Sequence, residues 1–280
     1  MRTLTRSLST LFLTYLTTAI PSPSCAGTNA VSPNCPSSET PHIRSFFYIG
    51  GRALPTPNGT LTADQIYVEK LTPLSASRKQ HPIVFFHGGG TSAVSFLNTP
   101  DNRQGWASWF LEKGYVVYLV DAYTGARSPA NNFNEFVMAA GPGTEAIQSG
   151  YTAPAANHTQ FPGSGLDDGD ASFDAFKKAM IPWTLSFEKQ ELAMRASGCE
   201  LLRLLGTPAF LISHSLGSFY PILLSNDCPQ YVKASVNLEP ATSPFWRYNR
   251  GALGGVPQSP WGLTFSRLSY EPPVQNASGM

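Results

Sequence analysis

Ala209-Phe-Leu-Ile-Ser213, running into His214-Ser215-Leu216-Gly217, is the stretch whose reading decides the fold. Its first five residues make an apolar run of strand length, and Leu216 to Ser225 then reads as a helix. A sharp strand-to-helix turn here pushes the central side chain, Ser215, above the sheet in a strained conformation. Small residues two places to either side let neighbouring backbones approach without a clash. Ser213 stands where a glycine is usual, but it is still small. The flanking strand and helix separate this pentapeptide from the chance matches that serine-rich chains contain, and they make Ser215 the candidate nucleophile.

Working outward, Leu185 to Leu205 is an amphipathic helix closed by Gly206, and Ala234 to Leu238 is a short strand beyond the elbow helix. Upstream, Pro82-Ile-Val-Phe-Phe86 is a continuous apolar run of the kind buried on both faces, and it ends abruptly in His87-Gly88-Gly89-Gly90. Trp106 to Lys113 has helical spacing, Gly114 stops it, and Tyr115 to Val120 is a second buried strand ending at Asp121. Ser45 to Tyr48 and Gln65 to Val68 read as early strands around a turn at Pro55 to Gly59. Strands alternating with helices predict an α/β class and a doubly wound, mostly parallel sheet, with sites at the carboxyl ends of the strands. Ser128 to Trp183 breaks this pattern with Gly, Pro, Asn and Asp, so it reads as an inserted lid at about 128–183.

A serine that attacks a carbonyl needs backbone N–H groups aimed at the oxygen that becomes negative. The turn after the Pro82–Phe86 strand supplies one, from Gly89 or Gly90, and Leu216, next to the nucleophile, supplies the other. His87 reads as a pin for this loop rather than a base.

With 280 residues and 42% hydrophobic side chains, the chain suits one large domain, taken as 44–280. Its 19 basic and 18 acidic residues nearly cancel and form no cationic stripe, which argues against nucleic acid as a partner. Arg2 and Arg6, the apolar stretch Leu8 to Ile20 and the small residues Ala19, Ser24 and Ala26 predict a secretory signal over 1–26, followed by a Ser/Pro-rich leader over 27–43. The apolar run is too short for a stable membrane anchor. Asn58, Asn157 and Asn276 each open a glycosylation triplet. The four cysteines lack C-x-x-C spacing, so no metal site is expected and pairing is the default in an oxidising compartment. Cys199 and Cys228 fall at helix ends that meet below the sheet, which predicts a disulfide, while pairing of Cys25 with Cys35 depends on where the signal is cut.

The stretches His87 to Gly90, Thr99-Pro-Asp-Asn-Arg-Gln-Gly-Trp106 through Tyr115, Gly125-Ala-Arg-Ser128, Ser213 to Ser218, Asn237-Leu-Glu-Pro240 and Trp261-Gly-Leu-Thr264 through Tyr270-Glu-Pro-Pro273 resemble secreted esterases of the α/β-hydrolase fold, first recognised in bacteria and widespread in fungi. The likeness runs from about Phe46 to Val274. It departs from the bacterial type at the oxyanion turn, where two adjacent cysteines are replaced by Gly89 and Gly90. The resemblance implies a small-molecule ester substrate, no cofactor, and a triad acid after the strand next to the nucleophile strand. The residues alone leave Glu239 and Glu271 level as that acid, and the resemblance favours Glu239.

The histidine is the difficulty. The fold's order is Ser, acid, His, yet His42, His81, His87, His158 and His214 all precede Glu239. The resemblance implies a histidine beyond Pro272-Pro273, and the sequence ends at Met280, so the expectation is a chain without its base. Three readings follow: a serine ester hydrolase impaired in turnover, a secreted ligand-binding protein that kept the pocket, or part of a longer active enzyme.

Overall fold

The computed structural model describes residue 25 and residues 33–152, 161–166, 168–248, 255–257 and 259–274. The signal stretch other than Cys25, together with Asn157, His158 and Asn276, lies outside them.

The elements in chain order are β1 (His42–Thr56), β2 (Gly59–Pro73), β3 (Ile83–Phe86), α1 (Trp106–Glu112), β4 (Val117–Val120), β5 (Met138–Ala139), α2 (Thr144–Ile147), α3 (Ala171–Lys178), β6 (Trp183–Thr184), α4 (Phe187–Leu205), β7 (Ala209–His214), α5 (Phe219–Asp227), β8 (Val232–Leu238), β9 (Trp246–Tyr248) and β10 (Gly255–Pro257). The main sheet has the order β1-β2-β4-β3-β7-β8. Strands β4, β3, β7 and β8 run parallel, and the β1–β2 hairpin joins β4 antiparallel.

The apolar runs are continuous because both faces of the central strands are covered. Val84 and Phe86 pack with Met194, Leu201 and Leu202 of α4 and with Phe219 and Leu224 of α5. Ile83 and Phe85 face the other way, against Ala107 and Leu111 of α1. Tyr118 and Val120 likewise join the first cluster, and Val117 and Leu119 the second. A strand with no solvent face has no polar alternate positions to show.

The early strands are longer than their apolar cores. β1 and β2 pair from His42 opposite Pro73 to Thr56 opposite Gly59, and the outer half of this hairpin is mostly exposed. Backbone hydrogen bonds carry it there, so side-chain pattern says little about its length. Asn58 sits exposed at its tip. Beyond Ser215 the chain makes a 3-10 turn over Ser215–Ser218 before α5 begins. The 128–183 segment holds α2, α3 and the short β5–β6 pair, and its first residue is integral to the core: buried Ser128 accepts from Tyr67 N at 2.7 Å and donates to Asp121 O at 2.8 Å.

Cys199 of α4 and Cys228, at the end of α5, are paired with their Cα atoms 6.0 Å apart, as the helix ends predicted. Cys25 is paired with Cys35. A signal cut after Ala19 or Ser24 keeps that bridge, and a cut after Ala26 removes it.

Candidate active site

Ser215 stands at the carboxyl end of β7 with φ of 53°, a left-handed conformation that a side chain adopts only under constraint. The constraint is visible around it. A Cβ on Gly217 would lie 2.3 Å from His87 O and 2.7 Å from Phe86 O, so only glycine lets the elbow sit against the end of β3. On the other side Ser213 is fully buried, and its hydroxyl donates to Asn237 Oδ1 at 2.8 Å on β8. The small residue in the first glycine's place thus spends its polar atom on the neighbouring strand.

The Gly88 to Gly90 turn closes over this elbow. A Cβ on Gly89 would come within 2.2 Å of Leu216 Cδ1, so turn and elbow are in van der Waals contact. Among the described residues no hydrogen bond occupies the N–H of Gly89 or Gly90. His87 holds the turn from beneath. Its Nε2 accepts from Ala122 N at 3.0 Å, and its Nδ1 lies 2.7 Å from Gly88 O. An amide can only donate and a carbonyl only accept, so one neutral tautomer satisfies both contacts. Burial pushes the His87 imidazole below its usual range, which favours that neutral form. Both ring nitrogens are engaged, and His87 has no free lone pair for catalysis.

Glu239 follows β8 with φ of 43°, its carboxylate exposed toward the same end of the sheet. Its loop is tied to the elbow by Ala241 N donating to Ser215 O at 3.3 Å. Glu271 lies on the segment 259–274, which is pinned elsewhere: Phe265 N and Ser266 N donate to buried Glu191 of α4, and Asn226 of α5 exchanges hydrogen bonds with Ser269. The nearest histidine contact of Glu239 is His214 Nε2, at 4.0 Å, beyond hydrogen-bond reach. His81 bonds Pro208 O at the opposite end of the sheet, and His42 bonds Thr40 O at the start of β1. No histidine among the described residues hydrogen-bonds Ser215.

No protein-family model matches the chain. The sequence is 36% identical over 257 residues to the probable secreted lipase phiG of Fungal sp. (strain ATCC 74256), a match covering 85% of this chain. The chain spans 65% of that relative's length. A solved structure described as a novel bacterial esterase superposes with a TM-score of 0.61 at 26% identity, over 73% of this chain and 71% of that one. The strand order, the elbow and this superposition agree. The chain has the α/β-hydrolase fold.

Within the hydrolase fold, one buried ionic cluster fixes the strand ends beneath the site. Arg127 bridges Asp121, at 2.5 Å, to Glu69, which also pairs with Arg44, and its guanidinium lies 4.0 Å from the ring centre of Tyr67. The other oxygen of Asp121 accepts from Ala93 N at 2.9 Å and so anchors the chain that leaves the glycine turn. The role of Arg127 within the stretch that carries the family likeness is not legible from that stretch, because Glu69, 58 residues away, leaves no spacing signal in the sequence. Burial alone would push the Glu69 carboxyl up, but hydrogen bonds and charge from Arg44 and Arg127 outweigh it and hold the group below the usual carboxylate range. Because the folded value lies below the unfolded one, this stabilisation is complete above the ordinary carboxylate range and is lost as pH falls through the folded value. Arg127→Met is therefore expected to cost about 3 kcal/mol at neutral pH. The difference from the parent should shrink in acid. Denaturant unfolding at the two pH values checks both statements, and an equal loss at each would refute the ionic account.

The turn, Leu216, Tyr220 and Trp183 enclose a crevice of about 20 Å³ beside the elbow, room for about one water. Ile181, Pro182 and Trp183, from the end of the inserted segment, form its outer wall, and Ile181 N donates to Gly90 O at 2.9 Å.

Proposed function

We propose that this chain is a secreted carboxylic-ester hydrolase in which Ser215 attacks the ester carbonyl. The observation that carries the reading is the left-handed Ser215 held against a glycine turn whose Gly89 and Gly90 N–H groups are free of other partners. With the N–H of Leu216 these donors stabilise the tetrahedral oxyanion, the largest single contribution in acyl transfer. Glu239 is the acid, placed to orient a base brought to this end of the sheet. The 128–183 segment acts as a lid, since its last residues already wall the crevice. Secretion is supported by the signal-like N-terminus, the two disulfides and the likeness to a probable secreted lipase, and Asn58 is exposed for glycosylation.

None of the described histidines hydrogen-bonds Ser215, and we infer on that ground that the chain as given turns over slowly. That same observation favours a second reading, a ligand-binding protein that kept the pocket. Hydrolysis of nitrophenyl acetate by the purified chain and by Ser215→Ala tests the first: a small rate that disappears with the hydroxyl supports it, and a rate indifferent to the substitution refutes it.

A further inference from the structure

The two sides of Ser215 differ sharply. Toward β3 lies the crevice, and its wall starts at the nucleophile: a Cβ on Gly88 would lie 3.2 Å from Ser215 Cβ, and Gly88, Gly89 and Leu216 all line the space. Toward β8 lies the loop of Glu239, Pro240 and Ala241, which is exposed. Half-buried Trp183 closes the crevice at its outer end. A Cβ on Gly90 would lie 3.1 and 3.2 Å from Cε3 and Cζ3 of Trp183, so the indole packs directly on the glycine turn. Main-chain bonds hold it there. Ile181 N donates to Gly90 O at 2.9 Å, and β6 pairs with β5, with Trp183 opposite Ala139.

We propose that Trp183 sets the acyl specificity of the site, confining the acyl arm of the ester to about the size of acetyl while the alcohol arm leaves over the Glu239 loop. This rests on the hydrolase reading above and adds the substrate class, esters of short acids. The crevice of about 20 Å³ admits a group of roughly one water's size, which a methyl group matches and a propyl chain exceeds. A longer arm must push the indole off Gly90 and with it disturb the bonds of Ile181 and β6. Removing the indole should do the reverse. In Trp183→Ala its volume joins the crevice, and each further methylene of a longer arm then gains from leaving water. The bonds of Ile181 and β6 are made by main-chain atoms and survive that substitution.

Nitrophenyl acetate, butyrate and hexanoate differ only in the acyl arm and so read this site. The quantity compared is the Ser215-dependent rate on each, relative to that ester's spontaneous hydrolysis. The parent should favour acetate over butyrate by about tenfold or more, the discrimination a closed pocket makes against an overlong arm. In Trp183→Ala the hexanoate-to-acetate ratio should rise by about tenfold or more, the gain from burying two methylenes. Trp183→Phe, with a smaller ring, should raise the butyrate-to-acetate ratio and leave hexanoate poor. Leu185→Ala, at the exposed residue after β6, should keep the parent's ratios. Because each ratio is taken within one protein, a variant that is only partly folded still reports it. Equal rates on the three esters in the parent, or ratios unmoved in both Trp183 variants, would overturn the proposal and leave the hydrolase reading standing. A Ser215-dependent rate on none of the three would overturn the hydrolase reading, and the role of Trp183 with it.

Discussion

Free imidazole is expected to raise the ester-hydrolysis rate of the 280-residue chain by at least about tenfold, and only when Ser215 is present. A serine with its oxyanion hole but without its histidine retains roughly 10³ to 10⁴ over water, far below a complete triad. A positioned general base contributes about 10² to 10⁴ of the difference, and a diffusing imidazole recovers part of it. Among the described residues that role is open: His87 has both nitrogens engaged, and His214 stands 4.0 Å from Glu239 with no bond to Ser215. Imidazole itself attacks aryl acetates, so the quantity to compare is the rate of the parent minus that of Ser215→Ala. Full turnover without imidazole, lost on His158→Ala or His214→Ala, would show that an upstream histidine serves as base. No Ser215-dependent rate in either condition would favour the binding protein.

Gly217→Ala should be among the most damaging single substitutions in the chain. The added carbon would meet backbone oxygens of His87 and Phe86 at 2.3 and 2.7 Å, and neither can swing aside as a side-chain tip could. Relief requires the elbow to part from β3, which also moves Leu216 away from Gly89. Overpacking of this kind costs about 3 kcal/mol, toward the upper end of its usual range. Both thermal stability and Ser215 reactivity should fall together. Gly206→Ala is the control: φ there is 69°, but open space surrounds the site, so strain alone should lower stability modestly and leave Ser215 untouched.

The fold was legible in the sequence where burial is two-sided. β3, β4 and β7 announce themselves as apolar runs, and the elbow is set by strand, small residue and helix in succession. The hairpin's full length was not, because its outer half is held by backbone pairing among exposed side chains. Of the site, Ser215, Leu216 and the glycine turn were readable from local pattern. Preferring Glu239 to Glu271 rested on a family likeness, since carboxylates at strand ends are common and nothing in the sequence says which one lies beside the elbow. The ionic cluster of Arg127, Glu69 and Asp121 has no signature in the sequence because its pairing is made by the folded sheet and not by neighbouring positions.

The central claim is that Ser215 is the nucleophile, and the most direct measurement is the site of covalent capture. A short-chain fluorophosphonate should add one phosphonyl group to the purified chain, with loss of fluoride and formation of a bond to the serine oxygen. Peptide mapping should place the added mass on Ser215, and Ser215→Ala should remain unlabelled. Modification at another residue, or labelling that survives the substitution, would contradict the account.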